Sequence, residues 1–329
     1  MLTFSPSHLR ILHALEDGSY QSGTTLGNLL SISRTAVWKQ IKHLIEIGVP
    51  IQRHLKRGYK LSAPLILLNE DKIRQHLQRH GVNLPLDFYL FSSIDSTNKF
   101  LKTGPSSNII RVAAAELQTA GRGRFGREWY SPFGENIYCS IRWHFNGDLS
   151  RLSGLSLVVS LSIMATLEEM GLHENIHIKW PNDILWKDEK LCGNLIEVIA
   201  ESNHAADVII GVGINVNSNK NHHKDALLDR PWCSLHEITG KLFDRNRIIA
   251  HLLVHLNHFL MEFVQNGFSP FISKWQLVDY LKDQMITVSQ PLGLLRGKAN
   301  GVNEVGQLIL IDEQGIKHYL SSGDTSLQI

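Results

Sequence analysis

The run AGRGRFGREW, Ala120 to Trp129, sets Arg122, Arg124 and Arg127 among Gly121, Gly123 and Gly126. Glycine lets a backbone approach a ligand closely, and guanidinium forks suit carboxylates and phosphates. The segment therefore reads as a loop that envelops an anion. The same glycines spell G-x-G-x-x-G, yet Pro132 and Gly134 stand where a dinucleotide turn needs its helix, and the next run, NIYCSIRW, alternates like a strand. A connection between two strands is the reading that survives.

Further polar clusters lie on either side of this loop. LDFYLF is strand-like and ends in the polar turn Asp95, Ser96, Thr97, Asn98, whose side chains suit helix capping or ligand contact. NIHIKWPNDILW is a strand interrupted at Pro181, and KDEKLCGNLIEVI turns as a hairpin into another strand. In ADVIIGVGINVN a buried strand alternates glycines at 211 and 213, and the missing side chains are expected to leave space for a flat ligand. His251, His255 and His258 fall at i, i+4 and i+7. With no acidic general base accompanying them and no open-site metal motif matched, they read as ordinary residues of an amphipathic helix, and His222 and His223 as solvated loop residues.

These residues need a frame of more than one domain, since 329 residues exceed one typical core. The longest apolar-rich run, GLSLVVSLSIMATL, is short and dotted with serines, so a buried helix is expected and not a membrane span. No leader pattern opens the chain. Three cysteines, Cys139, Cys192 and Cys233, form no C-x-x-C pair, which fits a reducing cytoplasm. The net charge of +2 is uneven. Residues 1 to 64 carry eight Lys/Arg against three Asp/Glu, leaving the rest with 25 against 28.

In the basic N-terminal segment, Leu9, Leu12 and Leu15 recur at helical spacing after Ser5 or Ser7, with Gly18 as a stop. Two short helices follow, split at SIS. Ser33 caps the second, with Val37, Ile41 and Leu44 as its inward stripe and Arg34, Thr35, Lys39 and Lys42 on its outer face. The hairpin VPIQRHLKRGYKL then presents Lys56 and Arg57 at its turn, with Arg53, His54 and Lys60 alongside. A helix-turn-helix with a basic wing suits operator DNA, the second helix in the major groove and the wing on phosphates.

The motifs STN, QTAGRGRFGREW, KWPNDI, KLCGNLIE and GVGINVN occur in the order and spacing of the biotin protein ligases. With the winged helix-turn-helix before them, the chain resembles the bifunctional type that is also the biotin operon repressor, over essentially its whole length. The resemblance implies a winged helix-turn-helix domain at 1–64, a mixed α/β catalytic domain at 65–275 and a small SH3-like β-barrel at 276–329. It implies ATP-dependent formation of biotinyl-5'-AMP, transfer of biotin to a lysine of the biotin carboxyl carrier protein, and repression with the adenylate as corepressor. Arg122, Arg124 and Lys190 would be catalytic. Ser96, Thr97, Asn98, Gln118, Gly121, Gly123 and Gly193 would join them around biotin. Arg127, Trp129, Asn182, Asn215, Leu227, Leu228 and Trp232 would join Arg124 around the nucleotide, and Asp183 would hold Mg²⁺. The loop from Asn217 to Trp232 would order over the adenine and favour a homodimer. Two other readings are a ligand-sensing transcription factor without ligase activity and a lipoate-type ligase.

Overall fold

The computed structural model describes residues 4–62, 64–104, 107, 109–202, 205–220, 230–290 and 293–327. Helix α1 (Pro6–Ala14) starts where the Ser5 side chain accepts from the His8 amide, while His8 reaches back to the Ser5 amide. This reciprocal cap satisfies two of the donors that a helix start leaves unpaired. Ile11, Leu12 and Leu15 are buried, but Leu9 is 42% exposed. Its helical angle falls about a third of a turn from Leu15, outside the arc that packs. Ser22 caps α2 (Gly23–Leu30), and Ser33 caps α3 (Arg34–Glu46). Ser31 takes a left-handed conformation between them and turns the chain. Val37, Ile41 and Leu44 form the expected inward stripe of α3. Strands β1 (Ile51–His54) and β2 (Gly58–Leu61) pair antiparallel as the wing.

The winged module closes its core with residues of the next body. Leu65 and Phe133 are buried in the same cluster as Ile11, Val37 and Ile41, and the Phe4 ring meets Phe133 edge-on. Asn69 then caps α4 (Glu70–Arg79).

A seven-stranded mixed sheet follows in the order β3-β4-β5-β9-β8-β7-β6. Its strands are β3 (Leu86–Phe91), β4 (Ile110–Ala115), β5 (Ile137–Asn146), β6 (Ile176–Lys179), β7 (Asp183–Trp186), β8 (Glu189–Ser202) and β9 (Ala205–Ile214). Among the described strand pairs of this sheet only β3 and β4 run parallel. Strand alternation sorts side chains between the faces. On β5, Ile137, Cys139 and Ile141 enter a large core with α6 (Leu155–Glu169) and α8 (Arg245–Asn266). Ala113 of β4 and Ile209 of β9 point the other way, under α5 (Thr97–Leu101). By length and composition the run Leu149–Glu169, which ends in α6, and α8 could each cross a membrane, yet their apolar residues fill this core.

Helix α7 (Leu235–Thr239) precedes α8, and α9 (Ile272–Val278) follows it. The junction expected after residue 275 falls inside α9, because Trp275 is fully buried in the large core and holds the helix to the central body. The last strands form an antiparallel sheet, order β13-β12-β11-β10-β14: β10 (Met285–Gln290), β11 (Gly293–Val302), β12 (Leu308–Ile311), β13 (Lys317–Leu320) and β14 (Asp324–Leu327). Ile286, Val288 and Leu310 belong to the same core as the α/β body. Trp180 pins the two bodies together: its Nε1 donates to the Gly306 carbonyl at 3.3 Å, and its own carbonyl accepts from Thr325.

One buried ion pair ties the segment after the wing to this frame. Arg245, at the first turn of α8, donates to Glu116 at 2.5 Å, to the Ile66 carbonyl at 2.6 Å and to the Asn136 carbonyl at 3.0 Å. The other Glu116 oxygen accepts from the Leu68 amide. Both charges are buried, so removing one strands the other without water. Glu116→Ala is expected to lower unfolding stability by about 3–5 kcal/mol, read from the urea midpoint at unchanged slope. A loss below about 1 kcal/mol would show that the pair is dispensable.

Candidate active site

The cleft opens on the sheet face opposite α6 and α8. Ser140 and Tyr138 of β5 point into it, as do Gly211 and Gly213, which pair with them across β9. Ser96 caps α5 and so holds Thr97 and Asn98 against this face. The Thr97 amide donates to Gln118 Oε1 at 2.9 Å, and its hydroxyl lies 3.1 Å from the same oxygen and 2.6 Å from the Ser140 hydroxyl. Ser140 reaches Asn98 Oδ1 at 2.6 Å, and Asn98 Nδ2 donates to Glu197 at 2.9 Å. Two hydroxyl protons serve three oxygen–oxygen contacts here, so only two can be hydrogen bonds at once. Such a chain can realign its protons to meet a ligand that both donates and accepts.

The glycines of β9 have a different purpose from the one expected. A Cβ at Gly211 would stand 2.2 Å from Asn98 Oδ1, and one at Gly213 would stand 2.5 Å from the Trp129 indole. The space they leave is filled by the protein's own Asn98 and Trp129, which form the walls. Trp129 Nε1 is buried with no hydrogen-bond partner among the described residues.

The arginine loop folds as a tight excursion: Gly123 donates to the Arg127 carbonyl, Trp129 donates to the Gly121 carbonyl, and Phe125 and Gly126 take positive φ. Gly121 is buried behind the wall and does not line the cleft; a Cβ there would stand 2.6 Å from the Trp129 carbonyl oxygen. Arg124 points inward and donates to Asn182 Oδ1 at 3.3 Å and to the Gly323 carbonyl at 3.1 Å. Burial lowers its guanidinium from the ordinary value, with Asp183 and Asp324 opposing that shift. It stays charged nonetheless. Lys190 rises from β8 to 2.6 Å from Asp183 and stands over the Trp129 ring.

Arg122, Gly123, Arg127, Asn182, Asp183, Gly193, Asn215 and Trp232 also line the cleft, together with the Ser96, Thr97, Asn98 and Gln118 group. Asn182 is anchored by donating to the Asn194 carbonyl, and Trp232 by a bridge to the Lys190 backbone. Leu227 and Leu228 lie outside the described residues.

Sequence reasoning missed four contributors. Ser140 completes the hydroxyl chain, but an isolated serine in an alternating strand carries no signal. Arg230 lies 3.7 Å from Asp183 and donates to Asp324 at 3.0 Å. Asp324, at the start of β14, also accepts from Arg127 and closes the site from 197 residues away. Lys179 lies near these groups, and burial lowers its ammonium, with Arg230 adding to the effect. Its position in KWPND could have drawn attention to it. Among the described lining residues, five cations face three carboxylates, so the cleft favours an anionic ligand.

Residues 8–60 match an HTH domain family, and residues 90–215 match the biotin/lipoate A/B protein ligase family. The chain is 34% identical to the bifunctional ligase/repressor BirA of Salmonella typhimurium, covering 97% of each protein. It belongs to the BirA family. The bifunctional ligase/repressor BirA of Bacillus subtilis is 32% identical to it, with 92% of each chain covered. The biotin protein ligase from Aquifex aeolicus, solved in complex with biotin and ATP, matches 74% of this BirA-family chain and 98% of its own at TM-score 0.61 and 29% identity.

Asp324 ties the last strand to the arginines. Burial opposes its ionisation, yet Arg127 and Arg230 hold its carboxyl down to about 2. Because the folded value lies below the unfolded one, the stabilisation is complete above the unfolded pKa near 4 and disappears as pH falls through 2. The stability gap between the parent and Asp324→Asn is expected to be about 2 kcal/mol at pH 7 and to close between about pH 4 and 2. Urea unfolding at several pH values measures it. A gap that is independent of pH would remove the ion pairs from the account.

Proposed function

We propose that this chain joins biotin to ATP, forming biotinyl-5'-AMP with release of pyrophosphate, and then passes biotin to one lysine of a biotin carboxyl carrier protein. The observation that carries this reading is a cationic cleft contiguous with a buried donor–acceptor slot. Thr97, Ser140, Asn98 and Gln118 supply paired hydrogen-bonding groups suited to a ureido ring, and Trp129 supplies an apolar wall. The first step brings a carboxylate oxygen to the α-phosphorus while the bond to pyrophosphate breaks. Both partners are anions, and Arg122, Arg124 and Lys190 screen their repulsion. In the second step the carrier lysine amine attacks the biotinyl carbonyl, and AMP leaves with the bonding electrons. The Arg127 to Trp129 segment, Asn182, Asn215 and Trp232 line the nucleotide end, with Leu227 and Leu228 assigned there by resemblance.

Asp183 would hold Mg²⁺ as a single oxygen ligand once Arg230, 3.7 Å from its Oδ2, turns to phosphate, since a hydrated ion carried on phosphates needs few protein ligands. The ion would neutralise phosphate charge. Lys190 holds the other oxygen of Asp183 and is placed to turn to the reacting anions.

We also read the N-terminal module as an operator-binding unit of a cytoplasmic repressor that dimerises when the adenylate is bound. Domains at 1–64, 65–275 and 276–329 remain the working division for function, although the last two share a core. Arg34, Thr35, Lys39 and Lys42 are exposed along α3, and Lys56 and Arg57 at the wing tip. The Lys42–Glu46 pair is more than half exposed, so it leaves Lys42 able to exchange partners for phosphate.

Arg124→Ala is expected to slow pyrophosphate release by on the order of 10²- to 10³-fold, measured with biotin, Mg²⁺-ATP and a carrier domain. A parent that releases no pyrophosphate would instead be a sensor without ligase activity, and lipoate competing more effectively than biotin would indicate a lipoate-type ligase. Lys42→Ala with Arg57→Ala is expected to leave ligation intact, weaken operator binding, and reduce the salt slope by about 0.9 for each phosphate that is no longer neutralised. Mobility shift across a salt series reads the slope, and sedimentation with and without biotinyl-5'-AMP reads the dimer. A parent whose association state ignores the adenylate would end the corepressor reading.

A further inference from the structure

Three helices meet on the sheet face opposite the cleft, and there two histidines of α8 meet a carboxylate from another helix. His251 and His255, one turn apart, and Glu169, the last residue of α6, each offer a ligand atom, all within 4.8 Å of one another. His251 is buried, His255 half-buried and Glu169 exposed. His80, the residue that follows α4, has its ring centroid 4.4 Å from that of His251. His258, the third histidine of the sequence pattern, is exposed beside Phe259 and takes no part.

We propose that Glu169, His251 and His255 bind a divalent transition-metal ion of the zinc class, with His80 as the nearest further donor. Two imidazoles at i, i+4 on a helix plus one carboxylate form a set that zinc accepts, whereas magnesium and calcium prefer oxygen donors. Ligands about 2 Å from a tetrahedral ion lie on the order of 3.5 Å apart, so the cluster must contract by about 1 Å, which the exposed Glu169 side chain can supply. Burial, with His80 and Arg247 adding to it, holds His251 down to about 4, so its ring is neutral at pH 7. Burial also lowers His255, with His258 and His80 adding, while Glu169 and Glu168 oppose the shift. The opposing contact is Arg247, whose Nε donates to His251 Nε2 at 3.3 Å. Its side chain is exposed and can swing into solvent. An ion here would clamp α6 to α8, and none of these residues lines the ligand cleft.

The test is calorimetric titration of the full chelator-treated chain with ZnCl₂ and, separately, MgCl₂ at pH 7.5. One zinc equivalent should bind in the parent, raise its thermal midpoint and give no counterpart with magnesium. In both His255→Ala and Glu169→Gln the affinity should fall by about 100-fold, the upper end of what losing even an outer-shell partner costs. The midpoint rise should vanish, while pyrophosphate release stays at the parent level. Glu169→Gln is an exposed, isosteric change, so it reports on binding even if His255→Ala folds poorly. Absence of zinc binding in the parent, or binding unchanged in Glu169→Gln and attributable to surface histidines, would overturn the site.

Discussion

Like charges held side by side in a half-buried cleft repel, and the architecture around the site is organised to contain that repulsion. Arg124, Arg127, Arg230 and Lys190 converge on one volume, and Asp183 and Asp324 stand among them as internal counterions. Without a ligand the carboxylates neutralise part of the excess. An incoming phosphate or carboxylate competes for the same guanidinium and ammonium groups, which are already oriented for it. Preorganisation of this kind is where an electrostatic site gains its leverage, since little rearrangement is left for the moment of reaction.

The same constraint explains why the C-terminal sheet is not a separate appendage. Asp324 can reach the arginines only if β14 is held at the cleft, and the shared core around Trp180 holds it there. Phe133, four residues beyond Trp129, is buried in the winged module. The loop that lines the cleft is thus joined by a short stretch of chain to the core of the winged module.

Sheet alternation separates chemistry from packing. On β5, Ser140 faces the cleft while its neighbours Cys139 and Ile141 enter the core, and on β9 Gly211 faces the cleft while Ile210 is core. A strand buried on both faces reads as a nearly continuous apolar run, so the functional face is invisible in the sequence unless a glycine or hydroxyl interrupts it.

Local features were legible from the residues alone, because each depends on a few neighbours. The Ser33 cap, the inward stripe of α3, the wing and the connecting character of the arginine loop are all set by side chains within one or two turns of chain. The ordered motifs made the ligase family recognisable, although no single motif would have done so. Tertiary structure decided what no local pattern contains. It placed Asp324 on Arg127 across 197 residues and set Glu169 beside His251 and His255. It also filled the space at Gly211 and Gly213 with Asn98 and Trp129. Spacing along a helix or strand determines which face a residue takes; what that face meets depends on how distant elements pack, and counterions and missing side chains acquire meaning only there.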